Sequence, residues 1–198
     1  MVEICLLNKR SLCLFMPYVK TTKEEIIKKS ALLFKSKGYH ATSIADLAEV
    51  CGITKGNFYH HFENKEALMI AAIKSNHDFI KKKLFNIAYS DQPVTEKLKD
   101  IMDRIFQIFS SDLSGCFMAN TILETAFTVP VFKESLKIFF EDWTDTMAHL
   151  YSHKYPAKEA RILAEQSIKN IEGSLILMRL YDDPCHLKNA LKDIKNQF

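Results

Sequence analysis

The sequence predicts an all-α protein, and three observations carry that prediction. Glycine and proline are scarce, five of each in 198 residues. Lys, Leu, Ile and Ala are abundant. Apolar residues recur at three- and four-residue steps from about residue 23 to the end, the period of a helix with one buried face. Hydrophobic residues make up 47% of the chain, ample for a packed core. About nine helices are expected: a three-helix head over residues 20–66 and a helical bundle over residues 67–198.

The first helix runs from Lys23 to Lys37. Ile26, Ile27, Ser30, Leu33 and Phe34 form its inner stripe, and Gly38 stops it. Thr42 and Ser43 can cap the second, and Asp46 stands three residues after Ser43 as in a capping box. Ile44, Leu47 and Ala48 fall on one face. Ala45 and Ala48 are small enough for a second helix to cross closely. Gly52 can take a positive φ at little cost and suits the turn. Thr54 then caps a short third helix, with Ile53, Phe58 and Phe62 inward.

Lys55, Gly56, Asn57, Tyr59 and His60 are left outward, and that set has the chemistry of DNA recognition. Lys55 can meet a phosphate or a guanine edge, and Asn57 a base edge. Gly56 lets the backbone come close. Tyr59 and His60 can donate to phosphates, and Tyr59 can touch a thymine methyl. Hydroxyls of Thr42 and Thr54 can bond phosphates beside helix N-termini, and Lys65 follows as a further cation. Two helices and a tight turn of this kind place the second helix in the major groove. A three-helix module built for protein contact is the competing reading.

The run FKSKGYHATSIADLAEVCGITKGNFYHHFENKEAL resembles the DNA-binding domain of the tetracycline-repressor (TetR) family. Gly38-Tyr39, Thr42, the stretch from Ile44 to Phe62 and the stretch from Glu63 to Leu68 carry the likeness. Cys51 stands where Ala is usual, and Asn57 where a small residue is usual. The likeness covers about a quarter of the chain. It implies a dimeric regulator of transcription, most often a repressor, controlled by a small molecule.

In the body, Asn64 can cap a helix from Lys65 to about Ile87, with Leu68, Ala72, Ile73, Phe79 and Leu84 available for burial. Residues 89–93 read as a loop. Further helices are expected at Thr95–Ser110, Cys116–Thr128, Val131 to about Ser152 and Ala157–Tyr181. The last helix begins at Asp183-Pro184 and runs through Ile194. In the long penultimate helix Ile168, Ile171, Leu175 and Met178 form a seam, with Gly173 and Ser174 permitting close approach. With Leu187 and Leu191 of the last helix, two copies could build a four-helix interface. Spacing alone fits this and an intramolecular core equally; the family resemblance implies a homodimer.

Ligand pockets are mostly apolar with a few orienting polar groups. Phe106, Phe109, Phe117, Phe139 and Trp143 supply the apolar part, drawn from an aromatic inventory that includes Phe127. Asn120, Thr121 and Glu124 supply the polar part. A small, largely apolar effector is therefore expected. Cys116 follows Gly115 at a helix N-terminus, where the dipole lowers a thiol's pKa. The run Gly115 to Asn120 also resembles one found in several subfamilies of these regulators, some of them sensors of electrophiles. A redox or electrophile switch at Cys116 is one reading, and a small buried residue is the other.

Residues 1–65 hold ten Lys/Arg against six Asp/Glu and the remainder seventeen against eighteen, a mildly basic head on a near-neutral body. The five cysteines have no paired or zinc-like spacing, and no secretory signal is evident, which points to reduced thiols in a cytoplasm. Residues 1–19 are apolar but broken by Asn8-Lys9-Arg10, too short to span a membrane; they fit a misassigned upstream start with Met16 as the true one, a disordered extension, or a helix packed on the head. No nucleophile–base pair or glycine-rich phosphate loop indicates an enzyme. His149 and His153 stand i, i+4 on one helix, but no third metal ligand is near, and no metal or cofactor is expected.

Overall fold

The computed structural model describes residues 21–111 and 114–198. The apolar N-terminal stretch lies outside the described residues. Nine α-helices are present among those residues, joined by short turns and two 3₁₀ segments, with no strand.

The head comprises α1 (Lys23–Lys37), α2 (Ile44–Cys51) and α3 (Lys55–His61). Each start is chemically defined. Thr22 and Glu25 close a capping box on α1, and Ser43 and Asp46 one on α2. The Thr54 hydroxyl accepts from the Asn57 N–H to begin α3. Gly52 ends α2 in the left-handed region at φ 70°. Ile26, Phe34, Leu47, Cys51, Phe58 and Phe62 form the head's core. Ala45, expected at a helix crossing, is exposed instead.

The body begins with α4 (Lys65–Lys83), which packs on both α1 and the bundle. It ends earlier than the expected Ile87, because the backbone departs at Leu84 (φ −128°, ψ −60°) and continues as a 3₁₀ segment, Phe85–Tyr89. Then follow α5 (Val94–Ser110), α6 (Phe117–Thr125), a 3₁₀ turn at Pro130–Phe132, α7 (Lys133–Tyr151), α8 (Ala157–Tyr181) and α9 (Cys185–Lys195). None is long and apolar enough to cross a membrane.

Aromatic rings fill the body's centre: Phe139 meets Phe85 at 5.8 Å and Trp143 at 5.9 Å between centroids. α4 is pinned to α7 through Asp142, which receives Lys81 at 2.8 Å and His77 at 2.9 Å.

The penultimate helix corrects one expectation. Ile168, Ile171, Leu175 and Met178 are buried inside the monomer, against α7 and α9, as are Leu187 and Leu191. This seam belongs to the chain's own core. The outer face of α8 carries a different stripe: exposed Gly173, Ile176 (58% exposed), Leu177 and Leu180 (66% exposed) at i, i+3, i+4, i+7, followed by exposed Tyr181.

Phe132, fully buried, meets the head's Tyr39 edge-on at 5.0 Å. Phe132→Ala should cost about 3–5 kcal/mol, read from the urea midpoint. A loss below about 1 kcal/mol would mean that this junction is not load-sharing core.

Candidate nucleic-acid interface

On α3, Phe58 is fully buried, so the helix is anchored by one side and its opposite side is presented to solvent. Thr54, Lys55, Gly56, Tyr59 (56% exposed) and His60 are exposed on this short helix, and Asn57 is half-buried beside them. Five of the six are outward as the sequence suggests, and Asn57 is only half so. The sequence misplaced two others.

Thr42 is 1% exposed, and its hydroxyl donates to the Gly38 carbonyl at 2.6 Å, so it braces the turn after α1 and does not reach outward. Lys65 is also turned inward. Its Nζ donates to the Tyr39 and Thr42 carbonyls, both at 2.9 Å, and lies 4.1 Å from the centre of the Tyr39 ring. This ammonium ties α4 to the loop that carries α2, its donors turned to backbone carbonyls. Lys37 is bound as well, at 2.8 Å from Asp46. That hydrogen bond and the Ser43 bonds hold the Asp46 carboxyl well below the usual carboxylate range.

The same loop is gripped from the body. Glu124 on α6 accepts the Tyr39 N–H at 2.8 Å and the His40 N–H at 2.6 Å, one oxygen for each. His40 Nε2 lies 2.9 Å from the Thr128 hydroxyl. Gly38 makes the approach possible: its φ is +86°, and a Cβ there would stand 3.0 Å from both carboxylate oxygens. Tyr39 is buried and donates its hydroxyl to Glu66 at 2.9 Å; burial and that carboxylate raise its phenol far above the ordinary value. Glu124, expected to orient a ligand, is thus a clasp between body and head.

The remaining predicted ligand residues divide three ways. Phe109, Phe117, Phe139 and Trp143 do converge, around a cavity of about 170 Å³ that also touches Leu32 and Lys35 of α1 and Phe79 of α4. Phe79, expected in the core, is half-exposed at its edge. The Trp143 indole N–H is buried without a hydrogen-bond partner. Phe106 faces elsewhere, into a groove between α5 and α9, and Phe127 is fully exposed. Thr121 folds its hydroxyl onto the Phe117 carbonyl at 2.8 Å. Asn120 lines a second cleft of about 400 Å³ between α6 and α8, which shares Gly115 and Cys116 with the aromatic cavity.

Cys116 sits at the N-cap of α6, as expected, but is buried. Burial pushes its thiol well up, and neighbouring Glu172 adds to the effect. The lowered pKa expected from the helix terminus is overturned, because desolvation outweighs the dipole. Glu172 was missed. Its position, i+4 from Ile168 and i−3 from Leu175, places it on the flank of the buried seam, which helical spacing could have revealed. Burial raises its carboxyl to about 7, against a hydrogen bond with Cys116 that lowers it. The His149 ring stacks on Tyr89 at 4.6 Å, and His153 Nδ1 lies 3.0 Å from the His149 carbonyl.

Comparison with known proteins then decides the family. Residues 26–72 match the model for "Bacterial regulatory proteins, tetR family", and residues 83–193 match "Transcriptional regulator LmrA/YxaF-like, C-terminal domain". The chain belongs to the TetR family of transcriptional regulators. Among relatives of this TetR-family protein, a helix-turn-helix regulator in the lacX 3′ region of Lactococcus lactis subsp. lactis is 28% identical over 91% of this chain and 94% of its own. The repressor DhaR of Mycobacterium sp. (strain GP1) is 21% identical over 80% and 82%. A TetR regulator from Legionella pneumophila has a TM-score of 0.82 at 26% identity, covering 91% of this chain and 99% of that one.

The Glu172 carboxyl links folding to pH. Folded, it keeps its proton up to about 7, against 4.5 ordinarily, so the native state binds more protons than the unfolded one across that window. Stability should fall as pH rises from 4.5 through 7 and stay lower above it. Glu172→Gln should remove that loss, gaining on the order of 3 kcal/mol over wild type at pH 8 relative to pH 4.5, measured by urea unfolding at both values. An equal difference at both would disprove the burial argument.

Proposed function

We propose that this chain is a dimeric transcriptional repressor whose two heads read a palindromic operator in double-stranded DNA, released when a small, largely apolar effector occupies the body. The solvent face of α3 carries this reading. Lys55, Gly56, Tyr59 and His60 project from a helix anchored by Phe58, the arrangement that inserts a recognition helix into the major groove. A relative named a transcriptional repressor supports repression over activation.

The dimer forms through the outer face of α8, where exposed Ile176, Leu177 and Leu180 flank Gly173. Two heads spaced one DNA turn apart, about 34–36 Å, engage successive major grooves. The effector enters beside Phe109, Phe117, Phe139 and Trp143, where an acceptor on it can satisfy the indole N–H. That cavity borders α1 directly. It also borders Cys116 and Phe117, where α6 starts, while Glu124 near the other end of α6 holds the head. An effector that prefers a shifted α6 moves the head off its DNA spacing, with about 1–3 kcal/mol of coupling as the usual scale.

Selection from a random duplex pool at near-physiological salt should enrich a palindrome. Lys55→Ala and Tyr59→Ala should each weaken binding to it by about 1–3 kcal/mol, roughly ten- to a hundred-fold, in fluorescence anisotropy. Wild-type affinity in both variants would contradict the recognition helix. No enrichment from folded protein would favour a head turned protein-interaction module.

Glu124→Gln replaces one accepting oxygen by an amide that cannot accept. Amide hydrogen exchange at Tyr39 and His40 should accelerate roughly ten-fold or more. Unchanged exchange would sever the proposed route from α6 to the head.

A further inference from the structure

Glu172 has no part in the clasp or in the aromatic cavity, yet it is the most unusual group in the body. It lies on α8 among apolar neighbours, and its Oε1 is buried with no hydrogen-bond partner. Burying a carboxyl with an unused acceptor is costly unless something meets it. It faces the cleft of about 400 Å³ between α6 and α8, whose walls are mainly Ala119, Ile122, Leu123, Leu175 and Ile176, the last also part of the proposed dimer face.

The polar groups of that cleft are unevenly matched. Asn120 uses its Nδ2 on the Ser114 carbonyl at 2.8 Å, leaving Oδ1 as an acceptor. Glu172 adds a second acceptor. Two acceptors in an apolar cleft call for a donor-rich group, and an ammonium offers three donors and the charge that a buried carboxylate lacks. The Cys116 thiol is the titratable group facing Glu172 from α6. Arg179 stands two turns along α8, about 10 Å away on the axis, exposed at the rim.

We infer that the α6–α8 cleft binds an apolar molecule bearing an amine, with Glu172 as the acceptor for its ammonium group. This rests on the reading of the body as effector-binding and gives the body a second ligand site beside the aromatic cavity, with which it shares Gly115 and Cys116. A carboxylate-bearing molecule meets Glu172 as a like charge and is excluded. A neutral one of the same shape leaves the carboxylate uncompensated.

The test uses the full-length protein at pH 8 with three matched probes: 4-phenylbutylamine, 4-phenylbutan-1-ol and 4-phenylbutanoate. Binding is followed by calorimetry and by the emission of Trp143, the chain's sole tryptophan, which lines the adjoining cavity. The amine should bind roughly ten- to a hundred-fold tighter than the alcohol, a charged hydrogen bond's worth, and the carboxylate weakest. Glu172→Gln, an isosteric change that should fold, should erase the amine's advantage. Lowering the pH to 6 should reduce that advantage as Glu172 takes up its proton.

Equal binding of amine and alcohol, no binding of the amine, or an amine advantage that survives Glu172→Gln would each overturn the assignment. So would a Glu172→Gln variant altered only in dimer dissociation, which would give the cleft to the partner subunit. Operator binding, measured in parallel by anisotropy, separates the two readings. Amine binding through Glu172 without operator release would keep this site and refute the effector role. Operator release by the alcohol, indifferent to Glu172→Gln, would do the reverse.

Discussion

A single carboxylate from the body accepts two consecutive backbone N–H groups of the head, and the geometry around it is arranged to permit this. Glu124 can reach the Tyr39 and His40 amides only because Gly38 has no side chain and a positive φ. With the chain in that conformation, Tyr39 is buried against Phe34 and Phe132. Its carbonyl and that of Thr42 are then held by Lys65. The loop between α1 and α2 is therefore fixed from two sides, by an anion on its amides and a cation on its carbonyls. Charge-assisted bonds of this kind are stronger than neutral ones and directional. The orientation of α2 and α3 follows from them.

This makes α6 more than a spacer. It starts just after Gly115-Cys116, common to the aromatic cavity and the α6–α8 cleft, and Glu124 stands one residue before its end. A helix of nine residues is about 13 Å long and moves as a unit. A displacement at its first turn would therefore reach the head's backbone through Glu124. α4 offers a second connection, but Asp142 pins it to α7 through Lys81 and His77.

Local chemistry in the sequence located most elements. α1 and α8 have the predicted limits because a capping box, a glycine or a proline marks their ends. The failures share one cause: a pattern identifies a face without naming what covers it. Ile168, Ile171, Leu175 and Met178 do form a seam, but α7 and α9 of the same chain occupy it. The apolar face left exposed is shifted around the helix to Ile176, Leu177 and Leu180. Thr42 and Lys65 resemble DNA contacts by residue type, yet both are consumed by backbone carbonyls. Glu124 acts across more than eighty residues of sequence, a separation at which no periodicity speaks. The solvent face of α3 was legible because its buried partners lie within the same dozen residues.

Glu172 carries the same argument to its end. A glutamine of the same size would fill its place without the cost of a buried charge, and leucine would extend the seam. Stability alone therefore does not account for a carboxyl whose one oxygen lacks a partner. Expensive buried polar groups tend to persist where binding draws on the strain. Its setting fits that logic: it borders a cleft rather than solid core, and it touches the first residue of the α6 cap. A group binding there would meet Glu172 and α6 at once, and through α6 the two amides that Glu124 holds.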